Sequence, residues 1–305
     1  MKGVTYQTNR LTSINDTTLA NIDSTSAYNT NGYVSGISYD SFIVHYVYDD
    51  LGRLTEETND YGTFTYAYDT NNNITSKTEN GTTTSYTYDS QGRLTQCGSY
   101  TFQYDALGNP TKYKDNTFTW TQGRKLAGGT LNGNSFQYSY DGNGMRYKKL
   151  VNGTTTEYYW NGTQLLAEYN RTTKEMKYYF YDQTGIAGMI YNGSYYYFDK
   201  NTLGDVIAVR DAYGDVIAKY KYDAWGNILE ETNLYNSGMA SKNPFRYRGY
   251  YYDSETGFYY LQTRSWINPY RRKKTINLLL IFNVKQNGGE EIFSPLFLFI
   301  TRKYY

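Results

Sequence analysis

One cysteine, Cys97, stands in the whole 305-residue sequence, so no disulfide can form within it. There is one histidine, His45, and a zinc site built from the usual cysteine and histidine ligands is excluded on numbers alone. Long apolar runs are also missing. The longest, LLLIF at 278–282 and LFLFI at 296–300, fall far short of the roughly 20 residues that span a bilayer. The first residues, MKGVTYQTNRLTSIND, hold no apolar stretch of the kind that marks a signal peptide. Basic charge is short where it would matter. Residues 271–305 hold 7 Lys/Arg and 2 Asp/Glu, which leaves 23 basic and 27 acidic residues in 1–270. Such a body lacks the basic face of a nucleic-acid binder.

What the chain has instead is 40 tyrosines and 28 glycines, against only 4 prolines. Tyr, Thr and Val suit strands, and Gly and Asn suit tight turns. The tyrosines are written in a pattern. YVYDDLGRL at 46–54 is followed by YAYDTNNNI at 66–74 and YTYDSQGRL at 86–94. The aspartate recurs at Asp49, Asp69, Asp89, Asp105 and Asp141, and then, in looser surroundings, at Asp182, Asp199, Asp223 and Asp253; Asn161 takes its place in YYWNG. A period near 20 announces a repeat architecture. FTWTQGRKL at 118–126 reads as a unit one residue short.

Each unit carries a second mark. Asn80-Gly81, Asn132-Gly133, Asn152-Gly153 and Asn192-Gly193 lie between strand-like runs. Asn-Gly there signals a two-residue hairpin, because both central residues of a type I′ turn need positive φ. The sequence therefore predicts an all-β protein of antiparallel hairpins with two alternating turns. In Tyr-x-Tyr both rings share one strand face. The aspartate leaves the strand and caps its own turn through backbone N–H bonds. The glycine three residues later supplies positive φ, as at Gly52, Gly92, Gly108, Gly144 and Gly226. None of these roles needs a substrate.

These units resemble the YD repeats of the bacterial Rhs family, which also occur in teneurins and insecticidal Tc toxins. LGDVIAVRDAYGDVIAKYKYDAWGNIL at 203–229 resembles the segment entering the Rhs core. NPFRYRGYYYDSETGFYYLQTR at 243–264 matches the family's most characteristic block almost throughout, with Arg246, Arg248, Gly249, Tyr251, Asp253, Gly257, Tyr260 and Arg264 in the motif. The resemblance implies a β-sheet strip spiralling into a hollow shell, here incomplete. It divides the chain into a worn first repeat at 1–39, YD repeats at 40–200, the core-associated segment at 201–264 and a divergent tail at 265–305. It also implies a secreted or wall-associated scaffold whose longer relatives enclose a C-terminal toxin.

After Arg264 the family pattern stops. The relatives continue with a segment of the form YYDPxxGRF, whereas this chain reads RSWINPYRRKKTINLLLIF, and no tyrosine stands between Tyr270 and Tyr304. The tail is expected to be a frameshift product that does not pack on the sheet, with no toxin domain attached. The chain is read as a fragment of a longer ancestral gene. The aspartyl self-cleavage segment of some relatives is absent, so no catalytic residue is carried over.

Other residues could carry chemistry instead. His45 and Cys97 could form a nucleophilic dyad, but nothing in their spacing favours it. The acidic pairs Asp49-Asp50, Glu56-Glu57 and Glu230-Glu231 could suggest glycosidase carboxylates. Neighbours on a strand point to opposite faces, however, which favours the scaffold. DGNG at 141–144 lacks the further acidic ligands of a calcium loop. No metal or cofactor is expected. The alternative function is a carbohydrate-binding surface adhesin, with Trp120, Trp160, Trp225 and Trp266 lining an aromatic platform. Arg246 and Arg248 are expected on one strand face, paired with Asp253 or Glu255 or facing a cavity.

Overall fold

The computed structural model describes residues 2–7, 10–16, 24–261 and 265–266. The expectations for the tail beyond these residues, and for Arg264, lie outside them. The chain forms two compact units, the first ending at Phe102 and the second beginning at Gln103. This division lies inside the repeat stretch.

Both units are antiparallel meanders, in which each strand pairs with the next. In the first, Val34–Tyr39, Phe42–Tyr48, Leu54–Asn59, Gly62–Tyr68, Ile74–Glu79 and Thr82–Tyr88 follow one another in this way. The second continues the pattern from Pro110–Tyr113 through Ile228–Asn233. Helix among the described residues amounts to Met239–Lys242 and the single 3-10 turn Tyr247–Gly249. The all-β expectation holds.

Turn chemistry explains the meander. Asn80-Gly81 has φ of 48° and 83°, Asn132-Gly133 52° and 82°, Asn152-Gly153 46° and 83°, and Asn192-Gly193 50° and 77°. Positive φ at both positions gives the backbone twist that two flanking strands share. The other turn adds a bulge. Val47 pairs with Glu56 and Tyr48 with Leu54, so Thr55 is left over. The same slip occurs at Ala67/Tyr68, Ser139/Tyr140 and Lys221/Tyr222. A bulge bends its strand and raises the local right-handed twist, so each of these four turns adds twist within its own unit.

Alternation is clean in some strands, whereas Val206–Arg210 is buried throughout. In Phe42–Tyr48, Phe42, Val44 and Tyr46 are buried while Ile43, His45 and Val47 face out. In the second unit the inner face is covered by the chain's own segment 243–260. Phe258 packs on Phe118 and Phe136, Tyr251 on Tyr158, Phe245 on Tyr179, and Tyr260 on Trp160, with ring centroids 5.0–6.3 Å apart. Burying an aromatic ring is worth about 4–6 kcal/mol at most, from about 150–250 Å² at about 25 cal/mol/Å². This is the main force holding the segment on the sheet. Tyrosine is tolerated there because its hydroxyls find acceptors: Tyr247 reaches the Ala224 carbonyl at 2.7 Å and Tyr259 the Gly226 carbonyl at 3.0 Å.

Candidate functional site

The repeat aspartate is built into its turn. Asp49 Oδ1 accepts the N–H groups of Leu51 and Arg53 at 3.0 and 2.8 Å, and its Oδ2 takes Arg53 Nε at 2.6 Å. Asp69, Asp89, Asp105 and Asp223 make the same pair of backbone bonds and add a side-chain donor from Asn73, Arg93, Asn109 and Asn227. Asp141 bonds the N–H groups of Asn143 and Met145. Gly52, Gly92, Gly108, Gly144 and Gly226 have φ between 75° and 81°, and Asn72 holds that place at φ 66°. Arg53 also donates to the Asp69 carbonyl at 3.0 Å, which ties one turn to the next.

Asp182 and Asp199 depart from this pattern, Asp182 accepting from the N–H and hydroxyl of Thr184. Asp199 is not a turn residue: the turn belongs to Asn201, whose Oδ1 accepts from Leu203 and Asp205, while Asp199 binds Arg210 Nε at 2.6 Å. Asp211 caps a further turn through Tyr213 and Asp215. That turn was missed because no Tyr-x-Tyr precedes it.

The tyrosine before each aspartate has a role that the sequence reading missed. Tyr48, Tyr68, Tyr88 and Tyr140 donate their hydroxyls to the carbonyls of Val34, Leu54, Ile74 and Leu126, each 14 residues back, at 2.7–2.9 Å. Trp160 does the same with its indole N–H to the Arg146 carbonyl at 2.8 Å. Each bond clamps the end of one strand to the beginning of the paired strand before it.

The densest charge cluster lies in the second unit beneath segment 243–260. Asp253 is 1% exposed, and so is Arg146. Arg146 grips Asp253 with two bonds of 2.5 and 3.1 Å, and Lys149 Nζ joins at 3.0 Å while also reaching Glu255 at 2.9 Å. The guanidinium sits among the rings of Tyr138, Tyr158, Tyr251 and Tyr260, 4.4–5.4 Å from their centroids. Burial works to raise the Asp253 pKa, but the adjacent Arg146 and Lys149 charges outweigh it and hold the carboxyl below its usual range. Beside it Tyr251 donates to Glu168 at 2.5 Å, and Glu168 pairs with Lys177 at 2.7 Å.

Arg146 and Lys149 were not singled out from the sequence, although a signal exists. Arg146 follows its aspartate by five residues, the place held by Leu54, Ile74 and Leu94 in other units. A charge in a buried leucine position points to a buried partner.

Arg246 and Arg248 do not share a strand face, and neither meets Asp253 or Glu255. The backbone turns at Arg248, with φ 55°, and Gly249 follows at 66°. Arg246 donates to the Asn243 and Ala240 carbonyls and stacks 4.1 Å over Tyr220, while Glu231 lies 3.6 Å away. Arg248 donates to the Leu203 carbonyl at 2.7 Å and faces Asp205. The reversal at Arg248 sends the two guanidiniums apart. Gly257, at φ 76°, closes the turn after Asp253, and Tyr260 accepts the Arg146 N–H at 2.8 Å.

Among the described side chains, which leave out Trp266, the tryptophans form no platform. Trp225 is buried, and the indole N–H groups of Trp120 and Trp160 bond the Pro110 and Arg146 carbonyls. In the first unit His45 is exposed on one face and Cys97 is buried on the other, so the two are not a dyad. Glu57 is buried while Glu56 faces out, as strand neighbours must. Among the described residues no group of three or more His, Cys, Asp or Glu side chains could hold a metal ion. No helix of the described residues is long and apolar enough to cross a membrane.

Comparison with known proteins follows the same lines. The model of the teneurin YD-shell matches residues 11–270. A tRNA3(Ser)-specific nuclease WapA of Bacillus spizizenii is 39% identical over 178 residues, which is 56% of this chain and 8% of that protein. Teneurin-1 of Gallus gallus is 28% identical over 149 residues, 47% of this chain and 5% of that one. The chain thus spans under a tenth of the curated relatives it matches. The crystal structure of TcdB2-TccC3 without its hypervariable C-terminal region superposes with a TM-score of 0.72, covering 87% of this chain and 16% of the other at 20% identity. That likeness is one of fold.

Proposed function

The chain belongs to the teneurin YD-shell family of YD-repeat, Rhs-type proteins, and on that premise we propose that it serves as non-catalytic scaffold wall. The observation that carries this reading is the Asp253 site. The most buried carboxylate of the family block is held by Arg146 and Lys149 at 2.5–3.0 Å, below its usual pKa range. A carboxylate so held is a poor general acid, since its proton is gone at neutral pH. It is a poor nucleophile as well, because it is buried and three donors from Arg146 and Lys149 engage its oxygens. The site joins segment 243–260 to the sheet and does no chemistry.

The WapA relatives are tRNA nucleases by name. In our reading this chain corresponds to wall rather than to nuclease, and its longer counterparts carry a toxin that such a wall encloses. The wall is placed outside the cytoplasm, secreted or attached to the cell wall. Two measurements test this. Purified full-length chain incubated with bulk tRNA, with and without magnesium, is expected to leave it intact. Cleavage that copurifies with the chain and is lost in Asp253→Ala would overturn the scaffold reading. Fractionation of producing cells is expected to find the chain in the wall or medium, and a purely cytoplasmic chain would refute the location.

A further inference from the structure

Strand alternation leaves a line of uncharged side chains on the outer face of the second unit. The register carries Tyr159 onto Ala167, Ala167 onto Tyr178, Tyr178 onto Ile190 and Ile190 onto Tyr195. Five successive strands are crossed in one row, with a tyrosine on every second strand. Neighbouring strands lie about 4.8 Å apart, so successive rings stand roughly 9–10 Å apart. The three tyrosines are exposed almost equally, at 47, 50 and 49%. Their chain neighbours Tyr158 and Tyr179 are buried on the inner face, so the outward placement follows from the pleat. At the Tyr195 end, Phe180 packs against Tyr195 and Tyr197 with centroids 6.2 and 5.7 Å apart. It also lies across Gly188, where any Cβ would collide with the ring. The end of the row is therefore braced.

We propose that this row is a platform for an extended, uncharged β-1,4-linked glucan chain. A hexose in such a chain presents an apolar C–H face that stacks on an aromatic ring, while its hydroxyls stay at the rim. Alternate sugars turn the same face the same way, so the repeat is one disaccharide, close in length to two strand spacings. The row sets one ring per disaccharide, with buried Ala167 and half-buried Ile190 between the rings and neither standing above them. Charge argues for a neutral polymer: the row holds no Lys, Arg, Asp or Glu, and Glu157, which Tyr159 reaches, is paired with Arg171, whereas a polyanion would need Lys or Arg along its path. A second copy of the chain would be better served by a continuous apolar face than by rings with gaps between them.

The test is isothermal titration of the full chain with cellohexaose. Saturable binding is expected, and Tyr178→Ala, which removes the central ring, should weaken it about tenfold or more. Maltohexaose, whose α-linked chain coils, should not bind. Tyr213→Ala, at a turn position 91% exposed and off the row, should bind as the unaltered chain does. Far-UV circular dichroism checks the fold, and Tyr195→Ser replaces Tyr178→Ala if that variant does not fold. No saturable binding, equal binding of maltohexaose, or an unchanged affinity in the ring variant would each overturn the proposal. Light scattering that shows a dimer converted to a monomer by Tyr178→Ala would overturn it too, and would make the row a self-association face.

Discussion

Removal of the Asp253 carboxylate should be among the most destabilising single changes available in the second unit. Asp253→Ala leaves Arg146 and Lys149 buried, the first with no acid within reach and the second with only the half-exposed Glu255. Two unit charges about 4 Å apart at an effective dielectric near 20 attract by about 4 kcal/mol. Two cations on one carboxylate roughly double that gross figure, and desolvation of all three groups offsets much of it. What counts in the variant is the uncompensated charge, and breaking a buried pair costs about 3–5 kcal/mol. The guanidinium retains four tyrosine rings, each worth about 0.5–2 kcal/mol, so the lower half of the range, about 3–4 kcal/mol, is expected. Urea denaturation followed by tyrosine fluorescence measures it as a shift in midpoint at constant slope. Arg146→Met should cost a similar amount, and the double variant Arg146→Met/Asp253→Leu less than the sum, since of the three charges only Lys149 then stays buried, with Glu255 beside it. A loss below about 1 kcal/mol for Asp253→Ala, or strict additivity in the double variant, would refute the buried-pair reasoning.

The same carboxyl sets an acid limit. Its pKa is lowered in the fold, so its stabilisation is complete above the unfolded value of about 3.9 and is lost as pH falls through the lower folded one; acid unfolding below pH ~4 should flatten in the Arg146→Met/Asp253→Leu variant. Tyrosines set the alkaline limit. Burial pushes Tyr158 and Tyr220 up to about 12, so their contribution is full below the unfolded value of about 10 and lost between there and 12. Ultraviolet titration should show much of the tyrosinate appearing together with unfolding, and reversible ionisation of all tyrosines in the folded chain would contradict this. At the repeat turn, Asp89→Ala should cost about 1 kcal/mol for its lost backbone bonds and Asp89→Asn less, because Asn keeps an acceptor for Gln91 and Arg93; Gly92→Val at φ 75° should cost more than either. Equal stabilities of the three, by thermal melting, would remove the turn account. Tyr68→Phe should lose about 1 kcal/mol with the Leu54 carbonyl left unbonded, and a neutral result would show that the hydroxyl clamp carries no weight.

The hairpin grammar was readable in the sequence because it rests on interactions within a few residues. Asp49, Leu51, Gly52 and Arg53 close their turn with no help from elsewhere, and Asn80-Gly81 sets its own φ. Pleating then assigns each side chain to a face, which is why Tyr46 is buried and Val47 exposed. Partners across the interior have no such local rule. Asp253 meets Arg146 and Lys149 over separations of 107 and 104 residues, and only the path of segment 243–260 back across the inner face decides that meeting. The same holds for Arg246 and Arg248, where alternation predicts a shared face and one left-handed residue sends them apart. Trp160 shows the limit most plainly. Its place in the repeat was visible, but not that its indole N–H meets the Arg146 carbonyl on the paired strand, since pleating assigns a side chain to a face and not to a hydrogen-bond partner.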